Sequence, residues 1–309
     1  MPKENIIWAV DPFTAQKIPL AKSRHMLATL QKCGSLAVEP VAIVSPKDAR
    51  WPLEFDGRWS ERFLEVAEFS LKDVKRKMRL PEVADPKLLV EASVRREDAI
   101  RALLNFSSGE AAKIILVNLH AHAGLKRFRL GGFTESLFAA SSIPVLTLRG
   151  NTRVPNQIKV IAFPTDLTRL AKKYLPKIIS IARDFGARLA ILHRLEVPAI
   201  FSVDWVGFAA AAEMEPMQEV MAENESIKKK LGEEFVAEAH SAGVGAEFHL
   251  IRGMTSLGEA IVRASCEAKA DIVAVAAQDH SLTQKILGST SREVLRLSPR
   301  PVLVLPGRI

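Results

Sequence analysis

The sequence predicts two tandem α/β domains, each a parallel β-sheet covered by helices on both faces. Three observations carry this. The chain repeats itself: Ile143-Pro144-Val145-Leu146-Thr147-Leu148-Arg149-Gly150 aligns with Arg300-Pro301-Val302-Leu303-Val304-Leu305-Pro306-Gly307 at an offset of 157 residues, and Gly131 falls on Gly288 at the same offset. Uninterrupted apolar runs of strand length alternate with helix-length segments, the pattern of strands buried on both faces. A length of 309 residues suits two domains of ~150. The expected domains are 1–150 and 155–309, meeting in Arg149-Gly150-Asn151-Thr152-Arg153-Val154-Pro155-Asn156, whose Gly, Asn and Pro suit a linker.

Each half opens on a strand-like run ending at an aspartate, Ile6–Asp11 and Val160–Asp166. In the second half the first strand is expected at Lys159–Phe163. A helix follows over Leu170–Phe185, with Leu170, Tyr174, Ile178, Ile181 and Phe185 at helical spacing and Gly186 as C-cap. Next come a strand at Arg188–His193 and a long amphipathic helix over Glu213–Ala242, closed by Gly243. Then follow strand Glu247–Ile251, helix Leu257–Ala268, strand Asp271–Ala276, helix Ser289–Leu297 and strand Val302–Leu305. The first half repeats the plan, with its long helix near Ser60–Met78 and Ala112–Val117 matching Ala270–Val275. The closing strands, Val145–Leu148 and Val302–Leu305, would be apolar edges if left alone, so they are expected to pair across a pseudo-twofold axis.

Composition sets the functional frame. Hydrophobic residues make up 48% and charged residues 25%, which excludes a mainly disordered chain. Two cysteines, Cys33 and Cys266, build neither a disulfide scaffold nor a cysteine metal site; Cys266 is expected to be a partly buried, inert thiol. No apolar run reaches the ~20 residues that span a bilayer. The start lacks the basic and apolar stretches of a signal peptide, so the expected location is cytoplasmic, with no membrane partner. The net charge is +8, from 43 Lys and Arg against 35 Asp and Glu. Its densest runs, Lys75-Arg76-Lys77-Met78-Arg79 and Lys228-Lys229-Lys230, lie in mixed-charge helical segments and read as solvated faces. Aromatics are scarce, so no nucleic-acid partner is expected.

Ligands of open parallel sheets bind beyond the carboxyl ends of the strands. Two features lie there in each half. One is the aspartate after the first strand, Asp11 or Asp166, which suits a ribose hydroxyl or a metal. The other is the helix start after the fourth strand, at Gly131 or at Gly288-Ser289-Thr290-Ser291, whose free N–H groups favour phosphate. The plainer reading is that Ser289 or Thr290 caps the helix and Gly288 makes a tight turn. His120-Ala121-His122 offers two imidazoles but no third metal ligand. Asp279-His280-Ser281 lacks the Gly-x-Ser-x-Gly elbow of a hydrolase. Met214, Met217 and Met221, with Phe208, read as packing surface, with an adaptable groove for a hydrophobic ligand or partner as the minority reading.

These landmarks, in this order and twice over, resemble the universal stress protein family. Val10-Asp11-Pro12-Phe13 and Pro164-Thr165-Asp166-Leu167-Thr168 match its "VDxS"- or "PTDFS"-like opening turn, and the repeated Pro-Val-Leu strands match its "CPVLVV"-like close. The resemblance covers essentially the whole chain. It implies a Rossmann-like, adenine-nucleotide-alpha-hydrolase-like sandwich in each half. The family's nucleotide-binding branch reads Gly-x-x-Gly, nine residues, then Gly-Ser/Thr after the fourth strand. Here the first half places Asn118 and Ala121 at the first two glycines and closes on Gly131-Gly132, without a hydroxyl. The second half is one residue short, with Ala276 and Asp279 there and only Gly288-Ser289 kept. Asp279 would repel phosphate, whereas Lys126, Arg127 and Arg129 in the first loop would attract an anion or simply be solvated.

The expected function is a tandem, non-catalytic stress-response protein with degenerate nucleotide sites, acting through ligand or partner binding. No catalytic residue, metal site or cofactor is assigned. The competing reading is a member that binds ATP or AMP in the second domain through Asp166, Gly288, Ser289 and Thr290 and hydrolyses it slowly. Expected partners are a second copy in a homodimer, an unidentified protein, or a small hydrophobic ligand.

Overall fold

The structure is a computed structural model that describes residues 4–11, 13, 20–34, 36–44, 57–91, 95–119, 132–195, 214–253, 255–277 and 287–307, with the backbone alone at 57–60 and 214–218. The first half runs β1 (Asn5–Ala9), α1 (Leu20–Cys33), β2 (Ala37–Val44), α2 (Gly57–Met78), β3 (Lys87–Val90), α3 (Arg96–Gly109), β4 (Ala112–Leu119), α4 (Gly132–Ala140) and β5 (Val145–Arg149). The second runs β6 (Val160–Pro164), α5 (Arg169–Phe185), β7 (Arg188–Arg194), α6 (Met214–Ser241), β8 (Ala246–Ile251), α7 (Leu257–Glu267), β9 (Ile272–Ala276), α8 (Ser289–Leu297) and β10 (Val302–Leu305).

The ten strands form one sheet in the order β3-β2-β1-β4-β5-β10-β9-β6-β7-β8. Strands within each half pair in parallel. The order is palindromic about β5 and β10, which pair antiparallel with Leu303 opposite Leu146 and Val304 opposite Val145. This is the expected edge-to-edge union: each half would otherwise end on an unpaired apolar strand. The union also reverses strand direction, so the carboxyl ends of the two halves lie at opposite edges of the sheet. Thr147 adds to the seam by donating its buried hydroxyl to the Val302 carbonyl at 3.0 Å. Arg292 of α8 pairs with Glu135 of α4 at 3.3 Å.

Period-2 alternation of the strands divides the core in two. Ile6, Trp8, Leu116, Leu146, Leu303 and Ala274 face the side covered by α1, α2, α5 and α6. Ile7, Ile115, Val117, Val145, Val304 and Val273 face the side covered by α3, α4, α7 and α8. Local signals set the helix ends. Thr168 caps α5 by accepting from the Ala171 N–H at 3.2 Å, and Ser256 caps α7 by accepting from the Glu259 N–H at 3.3 Å. Gly186 ends α5 at φ +61°, a left-handed conformation that suits glycine. The basic run at the end of α2 is a solvated face, with Lys75 on Asp85 at 2.7 Å and Arg76 on Asp73 at 3.3 Å. Cys266 differs from expectation. Its place on the outer face of α7 leaves it exposed, whereas Cys33 is half-buried and burial pushes its thiol pKa up.

Glu39 breaks the apolar pattern of β2. It is 5% exposed, and burial, together with the nearby Glu110 carboxylate, pushes its pKa up against a smaller opposing effect of Lys87. The native state therefore binds the Glu39 proton more tightly than the unfolded chain does. Stability falls as pH rises from the ordinary glutamate range through the raised native value. Glu39→Gln is expected to raise stability at pH 7, with the gain shrinking as pH falls into the ordinary glutamate range. Urea melts across that range check the sign.

Candidate functional site

Strand order reverses between β1 and β4 and between β6 and β9, so each half has its crevice at the carboxyl ends of those neighbouring strands. In the first, the Asp11 carboxylate accepts from the Phe13 N–H at 2.9 Å. In the second, Asp166 makes the matching turn: its Oδ1 accepts from the Thr168 N–H at 2.9 Å and the Thr168 hydroxyl at 2.7 Å. Asp166 thus braces the cap of α5, and Leu167 between them takes φ +60°. The Thr165 hydroxyl accepts from the Leu167 N–H at 3.1 Å, and His193 Nδ1 lies 2.8 Å from the Thr165 carbonyl. A carbonyl only accepts, so this nitrogen carries the proton.

At the other wall of this crevice, Gly288 is the N-cap of α8 and provides no side-chain cap. Ser289 is exposed and Thr290 half-buried, and neither caps the helix. The plainer reading fails for the cap, since neither Ser289 nor Thr290 caps α8; Gly288 has φ −59°, which any residue adopts, so its conformation does not require glycine. The first N–H groups of α8 have no helical acceptor. Ser291, 9% exposed, donates to the Ala276 carbonyl at 3.2 Å. Strand order brings Asp166 and the α8 start to the same edge of the sheet, but among the described residues no hydrogen bond joins them.

Sequence reading missed the bond that ties α5 to the end of β9. Tyr174, 2% exposed on α5, donates its hydroxyl to the Ala277 carbonyl at 2.8 Å. Gly307 packs so close that an added Cβ would lie 2.7 Å from that carbonyl and 3.7 Å from the Tyr174 hydroxyl. The first half has a counterpart: Asn118 Nδ2, at the end of β4, donates to the buried Ser23 hydroxyl of α1 at 3.1 Å. In both halves the first helix is thus bonded to the point where the fourth strand enters its loop. A signal for Tyr174 was present, because a tyrosine on a buried helix face needs a partner for its hydroxyl.

Gly131, Lys126, Arg127, Arg129, Ala121, His120, His122, Phe208 and the Asp279-His280-Ser281 run lie outside the described residues, as do the side chains of Met214 and Met217; Met221 is half-buried. Among the described residues no cluster of His, Cys, Asp and Glu has the grouping of a metal site, and no helix is long and apolar enough to cross a membrane.

Residues 157–306 match the universal stress protein family. No curated protein matches the chain in sequence. Among solved structures, a universal stress protein from Archaeoglobus fulgidus DSM 4304 is 18% identical at a TM-score of 0.60, over 98% of this chain and 96% of its own. A functionally unknown protein from Pseudomonas aeruginosa PAO1 is 16% identical at a TM-score of 0.59, over 98% of this chain and 92% of its own. Both likenesses extend over the two halves together. Residues 157–306 thus form a domain of the universal stress protein family, and the same α/β plan is built again before it.

Proposed function

We propose that this chain is a non-catalytic stress-response protein that works by binding, with both inherited nucleotide sites degenerate. The observation that carries the reading is the pair of bonds, Ser23–Asn118 and Tyr174–Ala277, that tie the first helix of each half to the end of its fourth strand. A nucleotide needs bare backbone where the fourth strand ends. Here that backbone is bordered by side chains or committed to internal bonds. Asp166 supports the same reading, since one of its two carboxylate oxygens already holds the α5 cap.

The second half keeps one observation in favour of the ATP- or AMP-binding alternative, the uncapped start of α8 at Gly288-Ser289-Thr290. A phosphate-bearing ligand would sit between that start and Asp166. Calorimetric titration of the full chain with MgATP and with AMP separates the two readings. The binding-only reading expects no heat at micromolar protein. It also expects no change on Asp166→Ala. If the crevice is functional, Asp166→Ala weakens binding about ten- to a hundredfold, the worth of a charge-assisted hydrogen bond, and Asp279→Gly tightens it by removing a repulsive charge.

A further inference from the structure

The net charge of the chain has a definite address. Residues 20–34 (α1) and 150–186 (the linker between the halves, β6 and α5) contain ten lysines and arginines and two aspartates. Their excess equals the whole +8, leaving the rest of the chain neutral. The fold brings these two segments together. α1 and α5 cover the same side of the sheet and touch one another. The linker lies against α1, with His25 Nε2 2.8 Å from Asn156 Oδ1 and the Thr29 hydroxyl donating to the Pro155 carbonyl at 2.8 Å.

Folding accounts for only some of these charges: Lys22 donates to the Gly150 carbonyl and Arg183 to the Ala242 carbonyl. Neither α1 nor α5 has an acidic residue in its first turn, and α5 places Arg169 and Lys172 at its positive end, where cations are unfavourable. Arg169, Lys173 and Lys177 follow one another at four-residue intervals along the exposed side of α5, a row of like charges about 6 Å apart. None of Arg24, Lys32, Arg153, Arg169, Lys173 or Lys177 forms an ion pair with a described residue, and all six are exposed. Lys172 faces Glu234 and Glu238 of α6 at 3.8 and 3.9 Å, which marks the border of the basic surface. Local rules broken together on one surface point to a use for that surface.

We propose that the α1–linker–α5 face docks the phosphate backbone of double-stranded nucleic acid without reading its sequence. The chemistry selects this partner. A protein interface needs an apolar centre, and Leu170 is the one exposed large hydrophobic residue of these segments among the described residues. The aromatics of the segments, Phe163, Tyr174 and Phe185, are buried, so no platform exists for stacking single-stranded bases. A line of cations without ion pairs among the described residues, with no exposed aromatic and a single exposed aliphatic, matches a rod of phosphates, whose binding is driven by counterion release. The contiguous basic runs of the sequence did not reveal this face because it is assembled from segments more than a hundred residues apart.

Fluorescence anisotropy of a 24-base-pair DNA duplex against the full-length protein tests it, with a salt titration. The expected Kd is about 10⁻⁶–10⁻⁴ M at physiological salt. Arg169→Glu/Lys173→Glu/Lys177→Glu should weaken binding at least tenfold and flatten the slope of log K against log salt by about 0.9 for each phosphate that is no longer neutralised. Its melting temperature should not fall, because an acid replaces Arg169 at the positive end of α5. The milder Arg24→Gln/Arg153→Gln/Lys173→Gln should lose affinity to a lesser degree. Arg101→Glu/Arg263→Glu/Arg296→Glu, an equal charge change on the opposite side of the sheet, should leave Kd within twofold after the change in net charge is matched by salt. The proposal is overturned if the duplex does not bind at 50 mM salt, or if reversal on either side has the same effect. It is equally overturned if vesicles containing phosphatidylserine bind through Arg169, Lys173 and Lys177 while the duplex does not.

Discussion

Truncating Leu303 to alanine is expected to destabilise the whole chain by about 2–5 kcal/mol, the usual cost of emptying a fully buried leucine site. Leu303 is 0% exposed and lies opposite Leu146, on the same side of the sheet but from the other half of the sequence. Directly opposed side chains of an antiparallel pair lie close enough to interact. Leu146→Ala and Leu303→Ala should therefore be non-additive, with a coupling of about 0.5–3 kcal/mol in a double-mutant cycle. Both single variants should also lower one shared unfolding transition. Two transitions, of which each variant moves one, would mean that the halves fold as separate units and that the central seam contributes little.

The second large effect is expected at Tyr174. Tyr174→Phe keeps the ring but leaves the Ala277 carbonyl, in a residue 7% exposed, without this donor. A buried acceptor deprived of its partner costs about 1–3 kcal/mol. Tyr174→Ala removes the ring as well and should cost about 3–5 kcal/mol. Gly307→Ala gives an independent check, because its methyl would lie 2.7 Å from the same carbonyl. Denaturant midpoints measure all three. If Tyr174→Phe matches the wild type, the bond to Ala277 is incidental, and the proposal of a degenerate second site loses its main support.

Much of the fold was legible because its signals are local or repeated. The Gly186 cap, α8 at Ser289–Leu297 and β10 at Val302–Leu305 fall where the sequence puts them, and β6 starts one residue later than its apolar run. The pairing of β5 with β10 was legible for a different reason: two apolar strands cannot both remain edges. The crevices were legible only in outline. Topology locates Asp166 and the α8 start, but the bonds that tie each first helix to the end of its fourth strand are long-range. Ser23 and Asn118 are 95 residues apart, and Tyr174 and Ala277 are 103 apart. Helical periodicity marks Tyr174 as inward-facing without saying what its hydroxyl meets. Cys266 shows the converse error, since a mixed helix neighbourhood does not tell an outer face from a half-buried one. Asp166 carries the subtlest lesson. A carboxylate placed where a ligand would need it serves here as the brace of a helix cap.

A universal stress protein fold built twice in one chain is expected here to act without a resident nucleotide. Mass spectrometry of small molecules released when the purified, full-length protein is denatured tests this most directly. No adenine nucleotide is expected at a stoichiometric level. One ATP or AMP recovered per chain would contradict the claim and would place a working site in the second crevice, between Asp166 and the start of α8.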